Sequence, residues 1–198
     1  MKVFYMGIFR YQSDKPLELC HETDLTHIRF YKDKVAALLT VAALEAAKRT
    51  EVGAQLKIKE EGRVIHVRGY ESNICGVLIS DEEYPLRIAQ TLLGRICSAF
   101  ATRYPASAIS DAQQPNSMPL PELKDYIVKA QDPSKADPIF QLEQTLDETK
   151  VILYNTFDSL LERGEKLDSL IAKSDMLSAQ SKMFYTQAKK QNSCCVVM

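Results

Sequence analysis

The feature that most constrains this chain is a hydrophobic repeat over residues 139–191. Core-type positions fall at alternating spacings of three and four: Ile139, Leu142, Leu146, Thr149, Leu153, Thr156, Leu160, Arg163, Leu167, Leu170, Ser174, Leu177, Ser181, Phe184, Ala188 and Gln191. A seam held in one heptad register for this length predicts a coiled coil, because a and d residues then return to one face of the helix. As a single helix it would run roughly 80 Å at 1.5 Å per residue.

Arg163 stands in the middle of the seam. Its guanidinium carries five donors and does not deprotonate. Left unpaired in a leucine core it costs several kcal/mol. In a parallel homodimer two such side chains would face each other and repel. The seam therefore disfavours self-pairing and asks for partner helices that supply acceptors at this level. Gly164 beside it costs a helix interior about 1 kcal/mol. With the polar seam positions, it predicts a segment that is loosely helical alone and orders on binding.

The 145 residues outside this repeat divide as follows. Residues 1–131 form one domain, 132–138 a linker marked by Asp132-Pro133 and Asp137-Pro138, and 192–198 a short tail; a residue before proline is pushed out of the helical region. Lys2–Arg10 is apolar on both alternating sides, with Val3, Tyr5 and Phe9 on one and Phe4, Met6 and Ile8 on the other, as in a strand covered on both faces. Leu17–Cys20 follows as a second strand. Val35–Thr50 reads as an amphipathic helix. Two short strands flank Glu61-Gly62 as a hairpin, and Ile74–Ser80 is an apolar strand. Pro85 opens a helix whose apolar face includes Leu92, Leu93, Ile96 and Phe100. Residues 105–119 read as a surface loop, and Pro121–Ala130 as a short helix. The pattern predicts an α/β domain: one sheet of about five mostly antiparallel strands with helices on both faces.

Chemistry of the catalytic kind is missing from the pattern. His21, His27 and His66 show no ligand spacing with Cys, Asp or Glu, and no CxxC occurs, so no metal site is expected. No phosphate-binding glycine loop is present. The expectation is a protein that is not an enzyme, has no catalytic residues, no cofactor and no small-molecule substrate. A net charge of −1 argues against nucleic acid as a partner. The start of the chain is polar again too soon for a secretory signal, and the apolar run Val35–Ala47 is too short to span a bilayer. Five cysteines in this context predict free thiols in a reducing compartment, with Cys20, Cys75 and Cys97 as small buried hydrophobes.

The tail Cys195-Val196-Val197-Met198 is a C-a-a-X box, and a final Met favours farnesyl on Cys195. Cys194 is placed to take a second lipid. One chain gives only marginal membrane binding, and stable anchoring takes two signals. After Asp175 the charged residues are Lys182, Lys189 and Lys190, which suits an anionic membrane surface. An alternative from another class is a lipid-anchored coiled-coil tether or adaptor.

Residues 137–195 resemble the R-SNARE motif, through Asp147-Glu148-Thr149-Lys150, the stretch Leu160–Leu167, Ser174-Asp175 and Ser181–Tyr185. Lys2–Arg10, Gly76–Ile79 and Glu83-Tyr84-Pro85 resemble a longin domain, a profilin-like α+β fold. With the two terminal cysteines, the chain is similar to the prenylated longin-type R-SNAREs, synaptobrevin homologues of the YKT family. That resemblance implies a v-SNARE that zippers with Qa-, Qb- and Qc-SNARE helices to drive intracellular vesicle fusion. Arg163 would meet three glutamines in the central layer, and the other seam residues would form the flanking layers. It implies farnesyl on Cys195 and palmitoyl or a second prenyl group on Cys194. It further implies an intramolecular contact, in which the longin domain holds the SNARE segment and shelters the lipid in a groove beside Leu38, Leu39 and Val41. The protein would divide between the cytosol and the cytoplasmic face of Golgi, endosomal, vacuolar or vesicle membranes.

Overall fold

The computed structural model describes residues 1–11, 16–132 and 151–194, with side chains as far as Gln191. Six strands make one sheet in the order β2-β1-β5-β4-β3-β6. They are β1 (Val3–Arg10), β2 (Leu17–Thr23), β3 (Gln55–Glu60), β4 (Arg63–Tyr70), β5 (Ile74–Asp81) and β6 (Val151–Tyr154). The first five pair antiparallel, as the alternation predicts. The sixth comes from the seam segment and pairs parallel with β3, from Gln55 opposite Val151 to Ile58 opposite Tyr154.

Each sheet face carries a helix layer. One face packs α1 (Lys32–Lys48) and the seam segment over Tyr5, Phe9, Val67, Val77 and Ile79. The other packs α2 (Leu86–Arg103) and α4 (Glu122–Ala130) over Met6, Ile8 and Leu78. Every residue of β1 is buried, as its two-sided apolar pattern requires. Its start differs from simple alternation. The register against β5 shifts between Val3 and Tyr5. Val3 therefore joins the Met6 and Ile8 side, and Phe4 joins the Tyr5 and Phe9 side. A bulge of one residue exchanges the faces of whatever precedes it.

Local chemistry accounts for the joints. At the β3–β4 hairpin Glu60 pairs with Arg63, and the two residues between them, Glu61 and Gly62, both have positive φ (43° and 78°). That is the turn whose twist matches paired strands. Gly76 lets α2 lie against β5, since a Cβ there would stand 3.0 Å from Cys97 Sγ and from Leu93 Cδ2.

The stretch 105–119 is more ordered than a surface loop. It contains α3 (Ala106–Asp111), whose Ile109 is buried, and Met118 and Leu120 are buried beyond it. The reason is Arg10. Its Nη1 donates to the carbonyls of Ile109, Ser110 and Ala112 at 3.0, 2.7 and 2.9 Å, satisfying acceptors that the end of a short helix leaves open. Composition alone carries no sign of a partner a hundred residues away.

The described part of the seam is not one helix. After β6 come a 3-10 turn (Phe157–Ser159), α5 (Leu167–Lys173) and α6 (Ala179–Cys194). Gly164 sets the main break. Its φ of 96° lies in the left-handed region, outside any α-helix. The Glu165 N–H donates to the Glu162 carbonyl at 2.9 Å and closes a turn around Arg163-Gly164. Thr156 caps the 3-10 turn, its Oγ1 accepting from the Ser159 N–H at 3.2 Å. A lone heptad helix would present its apolar stripe to water. Folding back against the sheet buries much of that stripe.

Candidate functional site

The site is the apolar groove between α1 and the sheet, with α5 and α6 laid over it. A cavity of about 260 Å³ remains beneath them. Val35, Leu38, Leu39 and Ala42 line it from α1, Ile65 and Ile79 from the sheet, and Leu167, Ile171, Phe184, Tyr185 and Ala188 from the seam segment. The helix spacing puts residues 35, 38, 39 and 42 on one face. Leu38 and Leu39 line this cavity. Val41 does not line this cavity; it is buried in the same core layer.

Leu160, Leu167, Leu177 and Ser181 are buried here. Leu170 and Phe184 pack partly buried on the same core. The Phe184 ring meets Tyr31 at a centroid distance of 5.1 Å. Off-seam residues share the work: Phe157 is fully buried, and Leu161 and Ile171 nearly so. Their signal is a second apolar stripe (157, 161, 171, 185) that the heptad register leaves unexplained. It is legible in the sequence once a second binding face is sought. Leu153 instead faces solvent at 65% exposure.

Polar contacts hold the segment in place. The Phe157 N–H donates to Glu60 Oε2 at 2.9 Å, and the Leu167 N–H to Asp158 Oδ1 at 2.9 Å. Asp168 accepts from Tyr185 Oη at 2.8 Å and from Lys189 Nζ at 2.6 Å, tying α5 to α6. Lys189 holds the Asp168 carboxyl below the usual range, with Tyr185 adding to it against some desolvation. Burial is the largest influence on Lys189 and opposes its charge, but the bond to Asp168 and the charges of Asp168, Glu61 and Glu60 together outweigh it, and the net shift is upward. Lys182 Nζ donates to the Ala172 carbonyl at 2.7 Å. Arg49 Nη2 reaches Glu165 at 2.9 Å, pinning the Gly164 turn to the end of α1. Ser181 donates its N–H to Ser178 Oγ at 3.1 Å, which starts α6.

Arg163 is exposed at the tip of that turn. Thr156, Ser174, Ala188 and Gln191 are partly or fully exposed. Ile139, Leu142, Leu146 and Thr149 lie outside the described residues, as do Cys195 and the side chain of Cys194; the backbone of Cys194 ends α6.

Among the described residues no group of His, Cys, Asp and Glu is arranged to hold a metal. Burial pushes the thiols of Cys20 and Cys97 up to about 12, and that of Cys75 well above its ordinary value, as for cysteines that pack rather than react. His66 is fully buried beside Ser80 Oγ at 3.3 Å, and burial lowers its pKa to about 3. A sealed neutral imidazole does no acid–base work. No helix among the described residues is long and apolar enough to cross a membrane.

Comparison with known proteins places both parts of the chain. Residues 25–127 match the Longin family model, a regulated-SNARE-like domain, and residues 138–196 match the Synaptobrevin model. Among curated proteins, the synaptobrevin homolog YKT6 of Saccharomyces cerevisiae is 44% identical over 200 residues, covering the full length of both chains. Those of Schizosaccharomyces pombe and Yarrowia lipolytica are 41% and 39% identical, again over the full length of both.

Proposed function

Because this chain belongs to the YKT6-type longin R-SNAREs, a non-enzymatic family that acts with other SNARE proteins in membrane fusion, we propose that it works as a two-state R-SNARE. In the closed state the longin domain holds the seam segment. In the open state residues 139–191 form one helix that zippers with Qa-, Qb- and Qc-SNARE helices. Arg163 meets three glutamines in the central layer, and the other seam residues form the layers on either side.

The observation that carries this reading is double use of the same side chains. Leu160, Leu167, Leu177 and Ser181 would be bundle layers, yet here they are buried against the domain. A side chain cannot be in both cores, so docking and zippering exclude each other. Each such leucine contributes about 1.5–3 kcal/mol by burial, so the partner helices must offer more than the groove does. Arg163 fits the same scheme. It is exposed while docked, and enters a core only where acceptors await it.

Cys195 carries farnesyl in this reading, and Cys194 palmitoyl or a second prenyl group. The groove cavity beside Leu38 and Leu39 shelters the lipid while the protein is cytosolic. Opening releases lipid and seam together on the cytoplasmic face of Golgi, endosomal, vacuolar or vesicle membranes.

The test is to mix the full chain with three Q-SNARE helices. Gain of helix and a complex resistant to SDS are expected, and absence of both overturns the zippering. Cys195→Ser should lose membrane recruitment in cells; retention would overturn the lipid assignment.

A further inference from the structure

The loop that leads into α1 ends in two exposed aromatic residues. Phe30 is 75% exposed and Tyr31 58%. Tyr31 precedes the helix with φ of 63°, in the left-handed region that a residue with a Cβ enters only at a cost. Its ring lies on Phe184, yet the residue stays more than half exposed. On α6, Met183 is exposed as well, and a cleft of about 290 Å³ joins Tyr31 and Lys34 to Met183, Gln187 and Gln191. The docked seam covers neither Phe30 nor Met183. Single exposed apolar residues are ordinary on a protein surface, whereas a group of them marks an interaction face.

Charge narrows what this face meets. Arg29, Lys32 and Lys34 flank the aromatic pair, and Asp33 is the one carboxylate among residues 29–34, in a chain whose net charge is −1. Arg29 and Lys32 are exposed, and Lys34 Nζ stands 4.8 Å from the centre of the Tyr31 ring. Residues 179–191 of α6 contain no carboxylate. Apolar and aromatic side chains set among cations suit a bilayer surface, where the rings enter the boundary and Lys and Arg meet anionic lipid. Placement agrees. The cleft reaches Gln191, and α6 ends at Cys194, beside the residue that carries farnesyl in the proposed function. We infer that Phe30, Tyr31 and Met183, with Arg29 and Lys32, form the face on which the closed chain meets an anionic bilayer. This rests on the closed state of the proposed function and puts first contact before lipid and seam are released.

The chain contains no Trp, so Phe30→Trp supplies a lone fluorescent reporter. The test uses the full chain with its cysteines unlipidated and no Q-SNARE helix present, so failure here would leave the zippering and the lipid assignment standing. With phosphatidylserine vesicles, Phe30→Trp emission should shift to the blue and be quenched by lipids brominated on their acyl chains. Val128→Trp, on an exposed position of α4 on the far face, should do neither. In cosedimentation with the same vesicles, Arg29→Gln/Lys32→Gln should bind about tenfold more weakly than the parent or worse. Phe30→Gln should also bind more weakly, and both variants should keep the parent's melting temperature. Parent binding should fall as salt is raised and be lost on phosphatidylcholine vesicles. The inference is overturned if the parent does not bind, if both reporters respond alike, or if the arginine–lysine variant binds as well as the parent. It is equally overturned if neutral vesicles bind as well, or if an acidic peptide shifts the Phe30→Trp emission and vesicles do not.

Discussion

Tyr185 on α6 donates its phenolic O–H to Asp168 on α5 at 2.8 Å, and Lys189, one turn further along α6, donates to the same oxygen. The contact joins two helices that a continuous seam helix would fuse into one. It exists only while the segment is folded back. Asp168 and Lys189 are 49% and 43% exposed, so the pair contributes at most about 1 kcal/mol. Asp168→Ala should therefore open the segment modestly, seen as faster hydrogen exchange across Leu167–Lys173. Combined with Lys189→Ala it should add little, because both changes remove one interaction. Since the Asp168 carboxyl is held low, its contribution is present at neutral pH. It is lost only as pH falls from the ordinary carboxylate range through the depressed value.

Gly164→Ala acts on both states in the same direction. The docked turn needs φ of 96°, which costs a residue with a Cβ about 1–3 kcal/mol. The extended helix gains about 1 kcal/mol from losing an interior glycine. The variant should move the population toward the open form by tenfold or more. Helix content by circular dichroism should rise, and assembly with Q-SNARE helices should be faster.

Phe184→Ala removes the ring that packs on Tyr31 and lines the groove. The side chain is only partly buried, so about 1–2 kcal/mol of docking is lost, a factor of roughly 5–30 in the closed-to-open ratio. Exchange should rise in α6 and in the groove face of α1. The far layer around Leu92 and Phe100 should keep its protection.

Arg163→Leu separates the two states. The side chain is exposed at a turn here, so docked-form stability should change by no more than about 0.5 kcal/mol. Assembly should remain possible, but with disturbed layer register or disassembly. A large loss of thermal stability in the isolated chain would contradict the placement of Arg163.

His21 introduces a pH dependence at the other end of the domain. Its Nδ1 lies 2.8 Å from the buried Glu18 carboxylate, which also accepts from Tyr5 Oη at 2.5 Å. The bond to Glu18 raises the His21 pKa against an opposing desolvation. The stabilisation is thus full below the ordinary histidine value of about 6.5 and is lost as pH rises through the raised one. His21→Gln should lower Tm by a few degrees near pH 6, since about 1 kcal/mol moves Tm by about 2–4 °C at this size. The deficit should shrink as pH is raised.

Much of this was legible in the residues. The hairpin at Glu61-Gly62, the doubly covered β1 and the apolar faces of α1 and α2 follow from period and turn chemistry, which act between near neighbours. What escaped depends on distant partners. Arg10 orders α3 through carbonyls a hundred residues on, the sixth strand needs the edge of β3, and Val41 turns away from the groove cavity by one position on its helix.

Residues 139–191 hold the same division. Sequence alone determined the register of the seam, the charge at its centre and the glycine beside it, because a 3-4 repeat and a missing Cβ are properties of the chain itself. Only tertiary structure decided what that segment does when no partner helix is present. An apolar stripe must be covered by whichever surface lies nearest, and here that surface is the groove formed by α1 and the sheet. There the second stripe through Phe157, Leu161 and Ile171 is buried, and Gly164 takes the left-handed turn that breaks the helix.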